Sequence, residues 1–138
     1  MKTTPYEGSQ RRLRFRRLPE AFAVCRFAAE APVPGWATQG AFSSISRSAD
    51  ELSIVCSADR VPDDCKTELR WICFKLEGPF AFSEVGVLVS FLAPLAKSGV
   101  GIFAVSTYDT DYVLVREEHA GAALEALQAA GHELITAA

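Results

Sequence analysis

The chain has 138 residues, 49% of them apolar, 22% charged and 10% aromatic, with a formal charge of −3 at pH 7. That length suits one ordinary domain or two very small ones sharing a core. The apolar fraction excludes intrinsic disorder, and nine Gly with seven Pro exclude collagen-like or low-complexity sequence. No secretory signal is expected, because no apolar run ending in small residues follows the polar Met1–Gln10 stretch and the arginines after it. The longest apolar window, Val85 to Val105, is interrupted by Pro94, Lys97, Ser98, Gly99 and Gly101, so it reads as helix, loop and strand rather than a membrane span. Cys25, Cys56, Cys65 and Cys73 form no CxxC pair, and His119 and His132 lie far from them, so no metal or other cofactor is called for. Cys25, Cys56 and Cys73 each follow Val or Ile. They read as buried thiols of a protein in the reducing cytoplasm.

Residues 1–10 read as a disordered or extended N-terminus. Residues 1–17 hold six cations against Glu7, a local charge of +5, which leaves −8 on the other 121. Leu13 and Phe15 alternate with Arg14 and Arg16, so this basic arm predicts a strand with one buried and one solvated face rather than a nucleic-acid contact. Phe22 to Phe27 predicts a strand, and Ala28 to Gly40, with Pro32, Pro34 and Gly35, supports at most a short irregular helix. Phe42 to Ser46 and Leu52 to Cys56 predict a hairpin around Arg47–Glu51. Val61 to Leu69 opens with Pro62 and two aspartates, as a short helix does, and Trp71 to Leu76 predicts a strand. Ser83 then serves as the N-cap of a helix whose face is Val85, Leu88, Leu92 and Leu95, weakened near its end by Pro94 and stopped by Gly99. Ile102 to Ser106 and Tyr112 to Arg116 predict a second hairpin. A last helix, read as a surface helix flanked by His119 and His132, carries Leu124 and Leu127 with alanines on the same side and is stopped by Gly131, and His132 to Ile135 is short and β-like.

A shift of 60 residues lays Ile45–Val55 on Val105–Val115, with Ser46 on Ser106 and Glu51 on Asp111. Each hairpin is followed by a helix candidate and a strand. The predicted fold is therefore α+β: two tandem ferredoxin-like βαββαβ units, over 11–70 (with a degenerate first helix) and 71–138, with antiparallel sheets and helices on one face.

Gly78-Pro-Phe-Ala-Phe-Ser-Glu-Val-Gly-Val-Leu-Val89, followed by Ile102-Phe-Ala-Val-Ser-Thr-Tyr-Asp-Thr-Asp-Tyr-Val-Leu-Val115, resembles the ACT-domain family. Within it, the chain is similar to small bacterial tandem-ACT proteins related to cytosolic arginine sensors and to the regulatory ends of aspartate kinases. The resemblance implies a non-catalytic, cytoplasmic sensor that binds a small amino acid at an ACT–ACT interface, in a homodimer or an intramolecular pair. Its ligand-contacting positions fall on Ser83, Glu84, Val85, Gly86 and Val87, on Ile102, and on Thr107, Tyr108, Thr110 and Asp111. Physically, N–H groups at the helix start near Gly86 can receive a carboxylate, and glycine lets a ligand approach the backbone. Glu84 and Asp111, if they converge, offer negative charge to an ammonium or guanidinium. The plainer alternative makes Ser83 and Glu84 helix-start residues, and Asp109 and Asp111 turn residues. A second function class is a ligand-free dimerisation or protein-docking module anchored by Trp36 or Trp71. Nothing in the residues assembles a nucleophile with its base, and the sheet-face aromatics of an RNA-binding domain are missing, so neither an enzyme nor a nucleic-acid or membrane partner is expected.

Overall fold

In the computed structural model, which describes residues 11–136, the alternation at the start of the chain becomes a single strand, β1 (Arg14–Phe27). The expected disposition of residues 1–10 lies outside the described residues. The chain divides into two compact units, 18–73 and 11–17 with 74–136, and both β1 and β4 (Thr67–Leu76) contribute residues to each. The division thus does not follow the expected cut at residue 70. Residues 11–17 belong with the C-terminal half.

In the unit of residues 18–73, β1 pairs antiparallel with β3 (Leu52–Ser57), and β3 with β2 (Ser44–Arg47). Ala23, Cys25, Ala37, Leu52, Ile54 and Cys56 form its core, with Phe27 and Trp36 packed against it. Cys25, Cys56 and Cys73 are buried free thiols, and burial pushes Cys73 up to about 12. No α-helix occurs here among the described residues. A 3-10 turn, Gly35–Thr38, is the short irregular helix expected within Ala28–Gly40, and a second, Ala58–Arg60, ends before the helix expected over Val61–Leu69. The segment after Val61 forms a turn and joins β4 instead, because Arg26 N–H takes the Lys66 carbonyl at 3.1 Å and draws the chain into the sheet.

The other unit carries both helices, α1 (Val87–Lys97) and α2 (Ala120–Ala129), with the hairpin of β5 (Phe103–Ser106) and β6 (Asp111–Arg116) between them. A short last strand, β7 (Glu133–Leu134), pairs parallel to the start of β1. Phe15, Phe74 and Phe91 meet edge to face at centroid separations of 5.2–6.4 Å, joining β1, β4 and α1 at the centre of the core. The helix register differs from the expected one. Gly86, at φ 82°, is the N-cap in place of Ser83, and the buried face is Val87, Ser90, Phe91, Pro94 and Leu95. Two apolar stripes run through this segment, and the one carrying the bulkier Phe91 goes inward. Val85, at 80% exposure, is left in solvent.

Pro94 lies inside α1 and has no N–H to give the carbonyl of Ser90, four residues earlier. His132 supplies that donor. Its Nε2 lies 2.8 Å from the Ser90 oxygen, while Nδ1 accepts the Leu13 N–H at 3.1 Å, which fixes the neutral tautomer. His132 is thus a buried connector at 3% exposure, not a surface residue beside α2.

The two hairpins superimpose at an offset of 59, not 60. Arg47↔Leu52 closes the first loop and Ser106↔Asp111 the second. The Ser48 N–H reaches the Glu51 carbonyl at 2.9 Å, and the Thr107 N–H reaches the Thr110 carbonyl at 2.8 Å. A slip of one residue exchanges the faces of a strand. The position matching Asp111 is therefore the buried Leu52 rather than Glu51.

Candidate functional site

Two loops of the helical unit are locked together. From Glu77 to Gly86 the chain leaves β4 for α1, and the Phe80 N–H donates to the Asp109 carbonyl at 2.8 Å. The hydroxyl of Thr110 donates to the Leu76 carbonyl at 2.7 Å, tying the start of β6 to the end of β4. Gly78 allows this approach: a Cβ there would lie 2.8 Å from the Asp109 oxygen. Thr107 braces the turn, with its hydroxyl 3.1 Å from the Thr110 carbonyl.

Between the entrance of α1 and this turn lies a cavity of about 330 Å³. Seven of the ten expected residues line it: Glu84, Gly86, Val87, Thr107, Tyr108, Thr110 and Asp111. Ser83, Val85 and Ile102 do not; Val85 and Ile102 are exposed side chains, and Ser83 lies in the loop before the helix. Phe80, Phe82, Leu88, Val89, Ser106 and Asp109 also line the cavity and were not anticipated. The alternation Phe80-Ala81-Phe82 just after a Gly-Pro pair was the available signal, since aromatics in a loop need a surface to cover.

Opposite charges meet this space. Gly86 has no side chain to cap α1, which leaves the first N–H groups of an 11-residue helix facing its entrance. Across from them, Asp111 accepts a hydrogen bond from the Ser106 hydroxyl. Glu84 is already engaged. One carboxylate oxygen accepts the Ala81 N–H at 2.7 Å and the other pairs with the Arg11 guanidinium. The Arg11 hydrogen bond and then that of Ala81 hold its carboxyl below the usual range. Thr107 and Thr110 spend their hydroxyls on the backbone and act as scaffolding. At the mouth, the rings of Phe82 and Tyr108 meet edge to face at 5.0 Å, though both are more than three-quarters exposed. Among the described residues no group of three His, Cys, Asp or Glu side chains is placed to hold a metal ion, and no helix is long and apolar enough to cross a membrane.

Comparison with known proteins gives this geometry a family. A family model described as an ACT domain matches residues 66–129, which include the whole cavity, and a model described as an N-terminal domain matches residues 20–64. Human cytosolic arginine sensor for mTORC1 subunit 1 is 32% identical over 109 residues, 73% of this chain. The chain spans about a third (32%) of the length of that curated relative. Among solved structures, protein Atu0741 of Agobacterium tumefaciens aligns with a TM-score of 0.87 and 42% identity, over 93% of this chain and 96% of that one. The regulatory subunit of aspartate kinase from Thermus thermophilus aligns at 0.59 with 15% identity, over 83% and 94%, a likeness of fold. With its cavity built from the segment that the ACT model matches, the chain carries, over residues 66–129, a domain that belongs to the ACT-domain family.

Proposed function

We propose that the protein is a non-catalytic regulatory sensor that binds a free amino acid in the cavity at the start of α1. The observation that carries this reading is the pairing of poles across about 330 Å³, helix-start N–H groups on one side and the Asp111 carboxylate on the other. A zwitterion fits that arrangement, with its carboxylate at the helix start and its ammonium at Asp111. The volume is at the small end of ligand sites, as a single metabolite requires. The likeness to the human relative, named for arginine sensing, supports the ligand class.

Phe82, Val85 and Tyr108 leave an apolar rim around the mouth, which favours a homodimer that places a second ACT domain over it. On this reading the chain is a tandem ACT protein of the cytoplasm, with 18–73 a reduced unit in which 3-10 turns replace helices and Leu52 replaces the acid. Ligand binding acts by linkage: the assembly that holds the ligand better is stabilised by the difference in affinity, and a protein partner senses the change. The same rim also suits the second function class, a docking module without ligand.

A thermal-shift screen of the twenty amino acids separates the two. At a hundredfold excess over Kd, binding adds about 2.7 kcal/mol to the apparent stability, a rise of several degrees. We expect such a rise with at least one amino acid and its loss in Asp111→Asn. A flat response to all twenty at millimolar concentration establishes the docking module instead.

A further inference from the structure

The arginines of the basic arm have different anchors. Arg14 and Arg16 lie within β1 and pair with Glu133 at 3.4 Å and Glu77 at 3.2 Å, so both are held by a strand. Arg11 precedes β1. The backbone is secured from Leu13, whose N–H is bound by His132, and Arg11 stands two residues outside that anchor. Its guanidinium forms the ion pair with Glu84 and lies over the Phe80 ring, 5.6 Å from the centroid. Glu84 and Phe80 both line the cavity. A carboxylate beside an aromatic face is the seat that a free guanidinium or ammonium group would choose.

We propose that Arg11 is an internal occupant of this cation seat, so that the site excludes amino acids with cationic side chains and favours those with uncharged ones. The ligand class rests on the sensor reading above; the occupancy of the seat does not. A group tethered to the same chain competes at an effective concentration on the order of millimolar, which a free cation must exceed to displace it. The contact is exchangeable, because the side chains of Arg11 and Glu84 remain 37% and 31% exposed. An ion pair so placed is weak in itself. Its influence on selectivity comes from the tether and from cancelling the Glu84 charge. Asp111, paired with Ser106, stays free of Arg11 and keeps its attraction for an α-ammonium group.

The experiment compares the full chain with Arg11→Gln, a change at a half-buried position outside the strands. Methylguanidinium, which lacks an α-carboxylate, is titrated at constant ionic strength while the amide resonances of Phe80 and Glu84 are followed. We expect half-saturation at a concentration about tenfold lower in Arg11→Gln, with the gain abolished in Arg11→Gln/Glu84→Gln. In parallel, thermal shifts with L-arginine should increase in Arg11→Gln while those with L-leucine stay as in the wild type. Equal methylguanidinium titrations in the two proteins overturn the occupancy, and an equal gain for leucine and arginine overturns the selectivity. If methylguanidinium discriminates but no amino acid shifts either protein, Arg11 holds the cation seat and the sensor reading fails.

Discussion

Replacing His132 with leucine is expected to lower the unfolding free energy by about 3–5 kcal/mol, on the scale of the largest single-residue effects. Leucine approximates the imidazole's bulk but can neither donate to the Ser90 carbonyl nor accept from the Leu13 N–H. Both hydrogen bonds are then lost in a site only 3% exposed, each loss costing about 1–3 kcal/mol. Pro94 makes the first loss costly, since it withholds the helical N–H that would ordinarily bond the Ser90 carbonyl. The variant also bears on pH dependence. Burial pushes the imidazole below its ordinary 6.5, outweighing the opposite pull of the Ser90 carbonyl, so His132 is neutral in the folded chain. Above pH 6.5 its contribution is complete. As the pH falls below that value, the unfolded chain gains a proton that the folded one refuses, and stability is lost down through the folded pKa. Urea unfolding at about pH 7 and pH 5 should therefore show a smaller acid-induced loss in His132→Leu than in the wild type. Equal stability of the two proteins at neutral pH, or equal losses on acidification, would contradict this role.

Gly78→Ala is expected to destabilise the protein by about 1–3 kcal/mol and to weaken ligand binding at least tenfold. The added methyl would lie 2.8 Å from the Asp109 carbonyl and 3.2 Å from both the Phe80 nitrogen and the Thr110 Cβ. The first two are backbone atoms, so the conflict is relieved only by parting the two loops. That movement opens the Phe80–Asp109 hydrogen bond and displaces both walls of the cavity together. Denaturant unfolding and the amino-acid thermal shift give the two readings. A variant that is destabilised but retains full ligand response would show that binding does not depend on the docking of these loops.

Strands and hairpins were legible in the sequence because alternating apolar residues have only one way to face a core. Leu13 and Phe15, Leu52 to Cys56 and Tyr112 to Arg116 all appear where the pattern put them, within a residue or two. The register of α1 was not legible. Gly86 interrupts a run of valines and leucines that supports two helical faces, and the choice falls to the fit of Phe91 against Phe15 and Phe74, which lie far away in sequence. The absence of a helix after Val61 has the same origin, since the pairing partner that draws Lys66 into the sheet is Arg26. Within the candidate site, the helix start and the turn were both legible as segments, but which of their residues line the cavity was not: Leu88, Val89, Ser106 and Asp109 line it beside the expected positions, and Ser83 and Val85 do not. Arg11 is the plainest case: from sequence it is one of five arginines in an arm, and only the fold brings it to Glu84.

The connection between Leu13 and His132 spans 119 residues of sequence. In vectorial synthesis, Leu13 and Phe15 emerge from the ribosome long before Leu127 and His132 exist to enclose them. The helical unit can close only after its final strand has been made, although its first strand is the earliest portion of the described chain. Its maturation is governed by closure of a very long loop, a slow step by contact-order reasoning, during which the aromatic side of β1 is open to chaperones or to neighbouring nascent chains.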